Sequence, residues 1–139
     1  MEKQNKEELQ SRYIEFQLLE QQFQQLQQQY NLIENRILEL TRIEENLDDI
    51  KKVKENTDIL VPVGGGIFLK SSIKDTKNVL INVGSNTITK KPLSEAKQIL
   101  NNQVEELGTI KTQIEQELKN IASQSQLLQQ DFIDLEEQE

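Results

Sequence analysis

The sequence predicts a mainly α chain with a small β region. It should form a long antiparallel two-helix coiled coil joined by two β-hairpins that assemble into an intersubunit β-barrel. Three observations carry this. Apolar residues recur every seven positions on both sides of the chain's centre. Both prolines, nearly all the glycine and the densest β-branched residues lie between Thr57 and Pro92. That central stretch also repeats itself at an offset of twenty.

A first helix is expected over residues 5–55. Leu9, Phe16, Phe23, Tyr30 and Ile37 step by sevens, and Leu19, Leu26, Ile33, Leu40 and Leu47 form a second column three residues on. Sustained for more than four heptads, this is the a/d seam of a left-handed coiled coil. Glu44 and Lys51 interrupt the seam near its end, which points to a changed partner surface there. Asn56 reads as the C-cap, and Lys51, Lys52 and Lys54 are explained by favourable charge at a helix C-terminus.

Two hairpins are expected within residues 58–91, with strands near 58–63, 66–73, 77–83 and 86–90. Leu60, Val63, Gly64 and Lys70 align with Leu80, Val83, Gly84 and Lys90, while Val61 aligns with Ile81. Each unit is an apolar run, a Gly-started turn and a second run ending in Lys. Turns are placed at Gly64-Gly65 and Gly84-Ser85, and Asp75-Thr76 links the hairpins. Pro62 cannot donate to a ladder, which puts it at an edge or a bulge.

The second helix is expected over residues 93–137, with Ser94 as its N-cap and Pro92 closing off the strand. Leu93, Leu100, Leu107, Ile114, Ile121, Leu128 and Leu135 keep an unbroken sevenfold column, flanked by Val104, Leu118 and Phe132. Hairpins return the chain to its starting point, so the helices should run antiparallel. Paired positions then sum to about 146, and Phe16 falls near Gln130. The 139 residues are expected to form a single subunit, a stalk with a β-base.

Composition excludes several kinds of chemistry. There is no Cys and no His, which removes disulfides, thiol or Ser-His nucleophiles and ordinary zinc sites. No EF-hand spacing occurs, and no cofactor or metal is expected. The Gly64-Gly65-Gly66 run leads into a strand rather than a helix and lacks a following Gly-Lys-Ser/Thr, so it reads as a hairpin turn and not a phosphate loop. Every carboxylate pair lies on a wet helix face, without a pocket to tune it for acid–base work. An enzyme is not expected. A net charge of −8 without a basic cluster argues against nucleic acid and anionic membranes. The polar N-terminus is not a signal peptide, and no apolar run is long enough to span a bilayer. A soluble, cytoplasmic protein is the expectation.

The β region cannot stand alone. Its thirteen large apolar side chains, from Ile59 to Ile88, bury too little to offset the ordering of some 36 residues. Open hairpin edges are templates for other chains. Closure into a barrel with hairpins of other subunits removes those edges. The residues expected there are Val61, Val63, Ile67, Phe68, Leu69, Val79, Ile81, Val83 and Ile88.

The order helix, paired hairpins, helix resembles the α-class subunit of prefoldin. The likeness is carried by Leu60-Val-Pro-Val-Gly-Gly-Gly-Ile-Phe-Leu-Lys70, Asp75-Thr-Lys-Asn-Val-Leu-Ile-Asn-Val-Gly84 and Glu95-Ala96. It is strongest over residues 58–97, and four strands rather than two favour the α class over the β class. The resemblance implies an ATP-independent co-chaperone, a holdase, in a hexamer of two α and four β subunits on a double β-barrel. Its tentacle tips would hold non-native proteins for delivery to a group II chaperonin. One departure is the last strand, where Gly84-Ser-Asn-Thr-Ile-Thr89 is polar while such subunits usually carry apolar residues.

A holdase needs exposed apolar surface, which is sought off the seam. Tyr13, Ile14 and Leu18 on the first helix, and Leu127 and Ile133 on the second, lie off it near the expected tip. Seam residues Leu9, Phe16, Leu128, Phe132 and Leu135 lie beside them, where a helix end can fray. Leu32 and Leu38 are also off the seam in mid-shaft, so scattered surface hydrophobes are the competing explanation. The acidic end, Asp131, Asp134, Glu136, Glu137 and Glu139, suits a basic chaperonin surface, and a solvated helix end explains it equally well. Alongside the co-chaperone stands a structural alternative: a coiled-coil scaffold or filament former of the prefoldin type that binds no clients.

Overall fold

The structure, a computed structural model, describes residues 2–137; Glu139 of the acidic end lies outside them. The elements are α1 (Glu2–Lys51), β1 (Asp58–Gly64), β2 (Ile67–Ser72), β3 (Asn78–Asn82), β4 (Ile88–Pro92) and α2 (Leu93–Glu137). Two long helices and two antiparallel hairpins are the fold that the heptads and the repeat predict. The chain divides into two compact units, residues 37–106 and residues 1–36 with 107–139.

In the unit of residues 37–106 the two hairpins are separate two-stranded sheets. Leu60 pairs with Lys70 and Val61 with Leu69; Leu80 pairs with Lys90 and Ile81 with Thr89. Every pair of the second ribbon is thus a pair of the first moved by twenty residues. The repetition extends to the turns. Gly64, Gly65 and Gly66 have φ of 115°, 57° and 77°, and Gly84, Ser85 and Asn86 have 121°, 50° and 59°. Two consecutive positive-φ residues make the primed turn that matches strand twist. The ladder shifts between Pro62 and Gly64, so Pro62 sits beside a bulge at Val63.

The core of this unit is Leu47, Leu93 and Ala96, with Ile50, Val79, Ile81 and Leu100 packed around them. The inward face of the second ribbon therefore sits on the base of the helix pair. Ala96 is almost fully buried; a side chain this small permits close approach in a tightly packed core. Thr89 and Lys91, the partners of Ile81 and Val79, are half-buried beside them. The polar last strand thus turns its Thr and the stem of a Lys inward, while Ile88 faces solvent. Between the ribbons, Asp75 Oδ1 accepts the backbone N–H groups of Lys77 (2.9 Å) and Asn78 (3.0 Å). These bonds hold its carboxyl below the ordinary carboxylate range, with further help from the Asn78 side chain.

Several element ends differ from expectation by a few residues. α1 ends at Lys51 rather than residue 55. The amides of Lys52 and Val53 fold back to Asp49 and Ile50 carbonyls at 3.1 Å, a tight closing turn. Asn56 does adopt positive φ, but its amide donates to the Ile73 carbonyl (2.7 Å), so it extends the ribbon instead of capping the helix. The last strand runs to Pro92 rather than 90, and α2 starts at Leu93. Ser94 is therefore inside the first turn rather than at the N-cap, because the Leu93 amide is already tied to the Lys77 carbonyl (3.0 Å).

The antiparallel seam is visible in each unit. In residues 37–106, Leu40 and Leu47 are buried, and Lys97 Nζ donates to both oxygens of Asp48 at 2.9 Å. This bond draws the Asp48 carboxyl below its usual range. With its amide oriented to suit its neighbours, Asn101 donates to both oxygens of Glu44 (2.5 and 3.0 Å). The Glu that interrupts the seam is thereby partnered. In the other unit, Tyr30 donates to Glu115 (3.0 Å), and Lys111 reaches Glu34 (3.3 Å) and lies 5.4 Å from the Tyr30 ring centroid. The hydrogen bond to Glu115 raises the Tyr30 pKa, and that to Glu34 raises the Lys111 pKa. The numbers of these paired residues sum to 145 in all four cases, against the expected 146.

Candidate functional site

The apolar residues singled out in the sequence fall into two sets, one in each unit. The first lies where the beginning of α1 meets the end of α2. There the ring of Phe16 meets Phe132 edge-on, with centroids 6.2 Å apart, and Leu19 and Leu128 are buried in the seam. Phe16, Leu9, Phe132 and Leu135 are half-buried. Tyr13, Ile14, Leu18, Leu127 and Ile133 point off the seam and are all about half exposed or more.

A groove of about 950 Å³ brings some of these together. Leu9, Tyr13, Ile14, Phe16 and Phe132 supply its apolar lining, and Gln10, Gln17, Gln129 and Glu136 its polar lining. Leu18 lies outside it, sharing a smaller hollow with Ile14. Leu127, Leu128, Ile133 and Leu135 do not line it. The sequence reading missed the polar members, although Gln10, Tyr13 and Gln17 follow the i, i+3, i+7 spacing of one helix face. Next to the groove Phe23 is partly exposed, over a hollow lined by the small side chains Ala122 and Ser125. The seam is therefore under-filled beside the groove.

Among the described residues no group of three or more Asp, Glu, His or Cys could hold a metal, and no helix is long and apolar enough to cross a membrane. Arg12 sits at the seam between Glu15 (3.7 Å) and Asp131 (3.9 Å). What the groove offers is apolar and aromatic surface with amide donors and acceptors around it. Such a surface can take up side chains without demanding one fixed geometry.

The second set is on the ribbons. Of the residues assigned to the barrel, Val61, Val63, Ile67, Phe68, Leu69, Val83 and Ile88 are exposed, while Val79 and Ile81 pack onto the helix base. Leu60 and Leu80 were not singled out, yet they are 63% and 73% exposed. Their signal was available in the repeat, since each lies opposite a Lys at the same register. On the first ribbon Ile59, Val61 and Leu69 share one face while Leu60, Pro62 and Phe68 share the other. Both faces are apolar and, among the described residues, both edges lack a neighbouring strand.

Comparison with known proteins gives consistent results. A family model described as Prefoldin, prefoldin subunit, matches residues 19–135. The chain is similar to a protein named Prefoldin subunit alpha of Methanococcus aeolicus, at 38% identity over 65 residues, covering 47% of this chain and 43% of the relative. It is also similar to the Prefoldin subunit alpha of Pyrococcus horikoshii, 39% identical over 71 residues, covering 50% and 48%. The matched stretch spans a little under half the length of these curated relatives. Among solved structures, filamentous PFD from Methanocaldococcus jannaschii superposes with a TM-score of 0.74 at 20% identity, covering 83% of this chain and 95% of that one. At that identity the likeness concerns the fold.

Proposed function

The chain belongs to the prefoldin family and has the character of its α class; on that premise we propose that it is a subunit of an ATP-independent co-chaperone. In this reading it acts in the cytoplasm as one subunit of a hexamer with β-class partners. The ribbons assemble into the barrel, the helix ends capture non-native polypeptides, and a group II chaperonin receives them. No catalytic step is assigned to the chain. The observation that carries the reading is the apolar groove at Tyr13, Ile14 and Phe16. A holdase works by offering such surface to chains whose own cores are exposed, and it gains hydrophobic free energy only from clients that have not folded.

The experiment uses an aggregating unfolded client with and without a β-class partner. The protein is expected to suppress light scattering, and the triple variant I14S/L18S/I133S to lose that suppression while its helicity is unchanged. Full suppression by the variant would remove the helix ends from the account. A second reading, a scaffold or filament former, is supported by the likeness to a filamentous assembly and by the polar last strand. It requires that no assembly of the chain suppresses scattering.

A further inference from the structure

The charge of the chain is concentrated beside the groove. Residues 2–20 and 125–137 carry nine carboxylates (Glu2, Glu7, Glu8, Glu15, Glu20, Asp131, Asp134, Glu136, Glu137) against three cations (Lys3, Lys6, Arg12). That is a net −6 of the total −8 in under a quarter of the sequence. The α2 side of the groove is wholly acidic in its charges over residues 125–137, and Arg12 is already placed between Glu15 and Asp131. Glu136 itself lines the apolar groove.

From this juxtaposition we infer that the groove prefers non-native segments in which an aromatic or large aliphatic side chain is flanked by lysine or arginine. The inference rests on the reading of the helix ends as the client site and specifies which clients fit. The central side chain leaves water among Tyr13, Ile14, Phe16 and Phe132. The flanking cation reaches the carboxylates of Asp131, Asp134 and Glu136 with its aliphatic stem lying along the apolar wall. An arginine has a further partner in the exposed face of Tyr13. Segments with acidic flanks meet like charge, and a summed field of this size acts on encounter as well as on the bound state. Discrimination by charge also keeps the groove from the helix ends of other copies of this chain, which are acidic.

The test is fluorescence anisotropy of the full chain with four labelled unstructured peptides of equal length. Three share a Phe/Leu centre with Lys/Arg, Gln or Glu flanks; the fourth has Lys/Arg flanks and a Ser centre. The cationic apolar peptide is expected to bind about tenfold tighter than the Gln-flanked one at low salt. That margin should shrink to about twofold at 1 M salt, where screening acts within about 3 Å. The variant D134N/E136Q/E137Q should erase the margin between the cationic and the Gln-flanked peptide, whereas I14S should weaken all apolar peptides alike and keep that margin. Equal binding of the first two peptides to the wild-type chain overturns the charge preference and leaves the groove as a client site. Equal binding of the Ser-centred peptide reduces the effect to ion pairing and also overturns it. Apolar binding that I14S leaves untouched instead removes the groove itself.

Discussion

At the scale of single residues, the second turn shows a run of positive φ held with one glycine where the first turn has three. Gly64-Gly65-Gly66 and Gly84-Ser85-Asn86 share one run of positive φ, although only the first has the residues that adopt it without strain. Asn86 tolerates the left-handed region because its short amide suits it. Ser85 has no such compensation, while the Asn82 side chain accepts the Gly84 amide (3.0 Å) and helps to hold the loop. Ser85→Gly should therefore stabilise the second ribbon by about 0.5–1 kcal/mol. Gly84→Ala should destabilise it by about 1–2 kcal/mol, even though a methyl group there would meet open space. Amide hydrogen exchange at Val83 and Thr87, which close this turn, is the measurement. Slower exchange in the first variant and faster exchange in the second are expected. Unchanged exchange in both would mean that the backbone stores no strain here.

At the scale of elements, a seam position and its neighbour off the seam should differ sharply. Leu40 is 2% exposed and Leu38 is 62% exposed, on the same stretch of α1. Leu40→Ala should cost about 2–5 kcal/mol in a urea titration followed by circular dichroism. Leu38→Ala should stay within about 0.5 kcal/mol. Similar losses in both would overturn the assignment of the seam. The seam was legible because sevenfold spacing and antiparallel return together determine which residues meet, to within a residue or two. The exact ends of elements were not. Asn56 carries the sequence mark of a helix cap, but a carbonyl from Ile73, distant in sequence, claims its amide. The apolar runs of the ribbons likewise did not say which side chains rest on the helices. Val79 and Ile81 were consequently grouped with the outward residues, and Leu60 and Leu80 were passed over. The groove was half legible, since off-seam Tyr13 and Ile14 announce themselves while the glutamines around them look like ordinary solvated surface.

At the scale of the whole molecule, the decisive quantity is how little the chain hides. It exposes 10,991 Å², where a folded monomer of 16.2 kDa typically exposes about 7,500 Å². Long helices account for part of the excess, but the ribbons contribute a kind that water does not tolerate well. Leu60, Ile67, Phe68, Leu69, Leu80 and Ile88 are each more than half exposed, on strands whose edges lack partners. A two-stranded ribbon is marginal alone, and two greasy faces make it more so. The chain should therefore assemble through its ribbons, and the most exposed matched pair, Leu60 and Leu80, is the place to break that assembly. In L60K/L80K each new ammonium stands opposite an existing one, Lys70 or Lys90, so the charge is repelled by its cross-strand neighbour as well as desolvated by any partner. Native mass spectrometry with the β-class partner should show the wild type in a large complex and the double variant mostly at the mass of one chain. The helicity of the variant should persist, because neither residue contributes to the core at Leu47, Leu93 and Ala96. L32K serves as the control: Leu32 is equally exposed but lies on a helix, and its replacement should leave assembly intact. If wild-type protein at micromolar concentration is a folded monomer with or without the partner, the ribbons are self-sufficient and the proposal of a shared barrel fails.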